Sequence, residues 1–414
     1  MITSASPTSN VKLQTSLDAA YAGVRVQSVD VLRGLVMIIM AIDHVRVYSG
    51  IPAGGLTVGI FLTRWITHFC APSFAFFAGT SAFLQYNKTG DRKALINFLV
   101  TRGLLLVVFE LTVVRFFWTF NFNYSAFTIT GVLWMLGWCM VLMAAFVRIK
   151  PLTLAISGIA IVLFQSIFSL IPLLFPAGIQ EAVVKYWNFF YPSAVAGKEG
   201  VVIGAGSGGL PSALGLSIFY VILPWLGVMM AGFGFGALLL KDPALVKRIC
   251  LWLGIGITVA FLIAALIKAF YFYAPDDTTP LFVHVLGQQK YPPSQFYVMM
   301  TLGPVIALVP WAQHATGWLV DAIKLIGRVP MFYYLLHILL IHLSAFVMNF
   351  ALYGNIHQDW YVTAPFVGMA EADRWPLGIL YLVWAVDVVI LYFICAKYAR
   401  YKAAHPEIGW MKYV

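Results

Sequence analysis

Arg33 and His44 are the first residues in this chain whose types and spacing could do chemistry. They stand in a largely apolar run that reads Ser28-Val-Asp30-Val-Leu-Arg33-Gly34, then nine residues ending in Asp43, then His44. On a helix they lie about 16 Å apart along the axis, and three turns bring both to roughly the same side. An ionisable group inside a membrane span costs several kcal/mol unless a cavity or partner receives it. A guanidinium at one mouth of a passage and an imidazole farther in would suit an anionic substrate with its reactive end at the histidine. Arg33 would then hold phosphate, with Arg92, Lys93 and Arg102 as further donors. Alternatively Asp30 and Arg33 are an ion pair at i, i+3 that eases burial of the helix end. His44 reads as a base, with Asp43 as a candidate orienting carboxylate, although adjacent helical residues point about 100° apart. The competing reading of His44 is a histidine that hydrogen-bonds a neighbouring helix.

Other candidates follow along the chain. Arg64 and His68 share a helix face at i, i+4. Glu110 and Arg115 precede an aromatic and polar loop, Trp118 to Tyr124, that suits either a sugar or a membrane interface. These four are candidate substrate-binding residues. A late run carries Tyr333, Tyr334, His337 and His342, of which His337 joins Asp43 and His44 as a catalytic candidate. Asp387 is intramembrane and needs a partner, and Lys268 can snorkel. No metal-ligand spacing stands out, so no metal site is assigned.

The elements that must position these residues are membrane helices. Of 414 residues, 61% are hydrophobic and 10% charged, far from the balance of a soluble domain. Apolar runs long enough to cross roughly 30 Å of hydrocarbon fall near 29–48, 60–84, 95–116, 127–147, 152–174, 213–239, 249–273, 295–312, 326–352 and 376–396. The fold class is therefore all-α, a polytopic bundle of about ten transmembrane helices. Pro304 and Pro310 predict an interruption of the eighth run. Alternate loops are rich in Lys and Arg, which places both termini in the cytoplasm. Residues 1–24 read as a disordered cytoplasmic tail, 25–396 as one membrane domain and 397–414 as a second cytoplasmic tail. Stretches near 175–212, 274–294 and 353–375 would form a small extracytoplasmic cap. The net charge of +10 is spread over short loops and forms no nucleic-acid stripe. Cys70, Cys139, Cys250 and Cys395 read as packing residues. Gly204 to Gly209 satisfies a dinucleotide fingerprint but lacks the strand and βαβ unit that would make it one.

The opening Ser28-Val-Asp30-Val-Leu-Arg33-Gly34-Leu, with a polar residue nine positions on, resembles the first helix of the heparan-α-glucosaminide N-acetyltransferase family. It also resembles the wider transmembrane acyltransferases that O-acylate bacterial surface sugars. Phe74 to Leu84, Trp134-Met-Leu-Gly137-Trp, Leu226 to Gly236 and Tyr333-Tyr-Leu-Leu-His337 are similar to later family helices. In the bacterial sugar acylases an essential histidine follows the Arg-Gly pair at this interval, which maps onto His44. The animal lysosomal enzymes have asparagine there and a candidate histidine in the following loop, where this chain has none. The resemblance implies transfer of an acyl group, usually acetyl, from cytoplasmic acyl-CoA to an acceptor across the membrane, with no permanently bound cofactor. The expected partners are the lipid bilayer, acyl-CoA (acetyl-CoA) and an extracytoplasmic glycan or small-molecule acceptor. Nucleic acid is not among them, and a homodimer is left open. The expected location is a bacterial inner membrane. The competing classes are a transporter using intramembrane His, Asp and Arg, and a membrane protein without turnover.

Overall fold

Long apolar runs satisfy their backbone internally as helices, and the chain does so along its length. The computed structural model describes residues 26–53, 57–124, 128–195, 212–213, 216–272 and 278–413. The first helices are α1 (Gln27–Tyr48), α2 (Val58–Thr67), α3 (Cys70–Thr89) and α4 (Arg92–Thr119). Strand β1 (Ile129–Thr130) precedes α5 (Val132–Phe146), α6 (Pro151–Leu163) and α7 (Ala177–Trp187). Strands β2 (Ser212–Ala213) and β3 (Leu216–Ile218) lead into α8 (Leu223–Leu238), α9 (Pro243–Phe272) and α10 (Leu281–Leu286). The chain closes with α11 (Gln295–His314), α12 (Trp318–Arg328), α13 (Pro330–Tyr353) and α14 (Leu377–Ala404). The only sheet among the described residues is a small ribbon in the order β1-β3-β2, parallel then antiparallel.

All ten apolar runs contain helix, so the all-α bundle holds, with local corrections. The second run is two helices, α2 and α3, that meet at His68 and Phe69. The fifth bends by 74° between α6 and a 3₁₀ segment, Gln165–Leu174, that contains Pro172. The eighth, expected to be interrupted, is one helix through Pro304 and Pro310. Its neighbours hold it, since α11 packs on α9 and on α1. The ninth starts at Pro330, after the separate amphipathic helix α12. Among the described residues five helices are long and apolar enough to cross a bilayer, or six when the bent pair counts as one. α1 falls outside that set, and it carries Asp30, Arg33, Asp43 and Arg46. The tail at 1–24 and the Gly204 to Gly209 loop lie outside the described residues.

α1 is the axis of the molecule, touching α2, α3, α11, α12, α13 and α14. Without a hydrophobic driving force between helices in lipid, close backbone approach at small residues supplies the packing. A Cβ on Gly34 of α1 would collide with the carbonyl of Ile323, and one on Gly327 of α12 with the carbonyl of Asp30. Gly79 of α3 and Gly232 of α8 are reciprocal in the same way, against the carbonyls of Met229 and Phe76. The Arg-Gly pair of the first run therefore divides its work: Gly34 seats α12, and Arg33 is left to face elsewhere. The four cysteines are free and buried; Cys70 Sγ lies 3.2 Å from the carbonyl of Val36.

Loops gather at the end of α1 that bears His44. Phe219 packs on Tyr291 and on Phe366, at 5.0 and 5.6 Å between ring centroids. Tyr361 is fully buried there, its hydroxyl donating to the carbonyl of Tyr48 at 3.2 Å. The backbone N–H of Trp375 donates to the carbonyl of Ser49 at 3.0 Å. The described parts of the expected cap thus close over this end.

Candidate active site

Arg33 enters a cavity of about 140 Å³ between α1, α3, α4, α5 and α13. Its guanidinium donates to the carbonyl of Phe77 at 3.1 Å and to Ser81 Oγ at 2.5 Å, which holds it in place. Arg102 lines the same cavity from α4, with its guanidinium 5.7 Å from the ring centroid of Phe98. Two of the four expected phosphate donors are therefore together. Arg92 and Lys93 are exposed in the first turn of α4 and do not line the cavity. Arg92 Nε donates to Tyr86 Oη at 3.1 Å. Asp30 forms an ion pair with Arg328 of α12, at 3.9 Å.

The cavity ends on Met37 of α1 and Tyr334 of α13. Two turns beyond Met37 and one turn beyond Tyr334 stand His44 and His337. They meet: His44 Nδ1 lies 2.6 Å from His337 Nε2, with the rings stacked at 4.8 Å between centroids. The ring of His337 is fixed from its other edge, where Nδ1 lies 2.5 Å from the carbonyl of Tyr334 and 3.2 Å from that of Tyr333. A carbonyl can only accept, so the network assigns the proton of neutral His337 to Nδ1. Its Nε2 is then an acceptor, and His44 must donate from Nδ1. The lone pair of His44 is thereby placed on Nε2. Trp118 packs edge-on against His44 at 4.9 Å. His337 is fully buried, His44 only partly.

The remaining candidates have other partners. Asp43, expected to orient His44, instead accepts from Arg46 Nε at 2.8 Å, and Arg46 reaches on to the carbonyl of Ile51 at 2.5 Å. The helical offset that separates neighbours by about 100° is the reason. Glu110, expected to bind substrate, serves the backbone. It begins a π-helical turn, Glu110–Val114, inside α4. Its oxygens accept from the N–H of Gly131 at 3.2 Å and of Leu133 at 2.9 Å, so a carboxylate from another helix caps the start of α5. A Cβ at position 131 would collide with that carboxylate. Arg115 donates to Thr119 Oγ1 at 3.0 Å, to the carbonyl of Asn121 and to that of Asn123 at 2.7 Å. It folds the loop that follows, and lies 4.4 Å from the ring centroid of Tyr124.

Arg64 donates to the carbonyl of Ala53 at 2.6 Å. His68 is buried at the junction of α2 and α3, and its carbonyl accepts from Tyr297 Oη at 2.8 Å. His342 lies 2.8 Å from the carbonyl of Phe117 and stacks on Phe120 at 4.0 Å, so it packs the cap. Asp387 accepts from Ser344 Oγ at 2.7 Å. Trp118 was read from sequence only as part of a loop suited to a sugar or a membrane interface, and Ser81 and the carbonyl of Tyr334 were given no site role. The i, i+3 spacing of Tyr334 and His337 could have shown the last, whereas Ser81 carries no signal.

An apolar helical bundle around a close imidazole pair, with a cation-lined cavity one to two turns away, defines an integral membrane protein with a chemically equipped centre. Residues 25–193 match the family described as heparan-alpha-glucosaminide N-acetyltransferase, catalytic. Over that segment the chain is heparan-α-glucosaminide N-acetyltransferase-like, and the match supports a membrane acetyltransferase-type function. The matched segment includes Arg33, His44 and Arg102; His337 lies beyond it. No curated protein matches the chain.

Proposed function

We propose that this protein is an acyltransferase of a bacterial inner membrane that moves an acyl group, in the first instance acetyl, from cytoplasmic acyl-CoA to a hydroxyl or amine acceptor on the extracytoplasmic side. The observation that carries this reading is the contact of 2.6 Å between His44 and His337, beyond a cavity that holds Arg33 and Arg102. In CoA the phosphates are separated from the thioester by an extended pantetheine arm. Along α1, Arg33 and His44 are about 16 Å apart, a separation of the same order. Arg33 and Arg102 serve the phosphate end, and the thioester reaches His44 once Met37 and Tyr334 turn aside.

At the thioester, His44 Nε2 takes the proton from the acceptor hydroxyl or amine as its oxygen or nitrogen attacks the acyl carbonyl. The carbon–sulfur bond then breaks, and the departing thiolate receives that proton from His44. His337 Nε2 accepts from His44 Nδ1–H throughout and supports the transient imidazolium, with the Tyr334 carbonyl fixing the tautomer. His337 is a positioning residue in this scheme.

The test is acyl-CoA dependence. Purified protein in detergent should bind CoA and slowly release free thiol from acetyl-CoA, and should acetylate a supplied acceptor. His44→Ala should abolish turnover while the unfolding temperature stays close to that of the parent. Uptake of a solute into sealed vesicles without CoA, together with no thiol release, would sink the proposal.

A further inference from the structure

A hydrogen bond fixes a ring along one line and leaves it free to turn about that line. The contact of His44 Nδ1 with His337 Nε2 at 2.6 Å is such a bond. A base must also have its plane set, to within about 10–20°, if its lone pair is to meet the proton it takes. His337 lies along one face of His44, with 25° between the ring planes. The second ring against His44 is Trp118, in the last turn of α4, at 4.9 Å between centroids and 76° between planes. Two neighbours at such different inclinations block a rotation that either alone would permit.

Trp118 is itself clamped. His44 and Tyr48 stand one turn apart on α1 and share a face, and the indole touches both: it lies parallel to Tyr48, at 5.5 Å and 5°. Tyr48 Oη donates to the carbonyl of Trp118 at 2.8 Å, so one tyrosine holds both the ring and the backbone of the tryptophan. Tyr48 packs in turn on Tyr361, in the 3₁₀ turn Gln358–Tyr361, at 5.1 Å. Tyr361 Oη donates to the carbonyl of Tyr48 at 3.2 Å and accepts from Asn349 Nδ2 at 2.7 Å. Asn349 Oδ1 accepts from Trp375 Nε1 at 3.3 Å. Trp118, Tyr48, Tyr361, Asn349 and Trp375 are all buried. A chain of direct contacts therefore runs from the 353–375 stretch of the cap to the imidazole of His44.

We infer that Trp118 is a positioning residue that sets the plane of the His44 ring, so that Nε2 faces the acceptor hydroxyl or amine, and that Tyr48 and Tyr361 tie this plane to the docked cap. The catalytic consequence rests on the acyltransferase reading; the restraint on the ring does not.

The experiment takes two readouts from the same detergent-purified proteins. One is kcat and KM for acetyl-CoA and a supplied acceptor. The other needs no turnover: the rate at which diethyl pyrocarbonate modifies His44, which is only partly buried, followed by peptide mass spectrometry. Trp118→Leu keeps an apolar side chain but no flat face. Its kcat should fall roughly 10- to 100-fold, the loss that follows a small misplacement of a reacting group, with both KM values little changed. His44 in that variant should be modified several-fold faster than in the parent. Trp118→Phe, which restores a ring, should recover most of both properties. Tyr361→Phe removes only the hydroxyl that bonds Tyr48 and Asn349, and should move both readouts in the same direction by less. It carries the test should Trp118→Leu fail to fold, and unchanged modification of His44 in it would then overturn the inference. Equal modification rates in the parent and Trp118→Leu, or an equal kcat, would overturn it as well. Faster modification in Trp118→Leu, with a parent that releases no thiol from acetyl-CoA, would leave the restraint standing and remove the acyltransferase reading instead.

Discussion

At the scale of single residues, the centre turns on which nitrogen carries a proton. The carbonyl of Tyr334 requires a donor at 2.5 Å, and that requirement passes through His337 to leave His44 Nε2 unprotonated. His337→Phe removes the acceptor but keeps an aromatic ring in the stack, so His44 loses its fixed tautomer and not its place. The expected result is a fall in kcat of about 100-fold or more, with KM for acetyl-CoA little changed. His337→Gln, which restores a carbonyl acceptor, should recover part of the rate. A kcat for His337→Phe equal to that of the parent would show that His44 works alone. Asp43→Asn tests the opposite assignment. Because Asp43 binds Arg46 in a largely buried pair, its loss should cost stability, about 1–3 kcal/mol, and leave kcat within a few-fold of the parent in the folded fraction.

Helices bring these residues together, and the devices that do so differ in how visible they are. Gly34→Val would push a branched side chain into the backbone of α12, and overpacking of this kind costs about 1–3 kcal/mol or more. Its unfolding temperature should fall, with Arg33 displaced and affinity for CoA reduced. Glu110→Gln keeps one acceptor oxygen but sets its NH2 group against the other of the two N–H groups, of Gly131 and Leu133, that the carboxylate receives, and should destabilise by about 1 kcal/mol or more. Acceptor KM should not change, which separates capping from substrate binding. Sequence made α1 legible, because three whole turns between Arg33 and His44 put both on one side of a helix. The meeting of His44 with His337 was not legible, because 293 residues separate them and only tertiary packing closes that distance. The backbone partners of Glu110 and Arg115 were not legible for a different reason. Their partners are backbone groups of a loop and a helix start, which leave no mark in residue type. Prolines were misleading in both directions: two sit inside a continuous α11, while the 74° bend falls at Phe164.

For the whole molecule, the two ends of α1 differ in chemistry as well as position. The Arg33 end has the cavity with Arg102, and the C-terminal 3₁₀ turn Gly409–Tyr413 reaches it, with Tyr413 stacked on Phe98 at 5.8 Å. The His44 end carries the cap, which includes Lys290 beside Tyr291, and the loop after α1, where Arg64 donates to the carbonyl of Ala53. A donor too polar to cross lipid would enter at the first end, and an acceptor would arrive at the second. Sealed vesicles with the Arg33 end outward test this directly. Acceptor is trapped inside, acetyl-CoA is added outside, and both pools are sampled. Acetylated acceptor should accumulate inside while free CoA thiol appears outside, with no acetyl-CoA found in the lumen. Arg33→Gln combined with Arg102→Gln should raise KM for external acetyl-CoA by roughly 10-fold or more, the loss of one or two charge-assisted phosphate contacts, and should leave KM for the trapped acceptor alone. If product forms only when donor and acceptor share one compartment, the passage does not cross the bilayer, and His44 and Arg33 belong to separate sites.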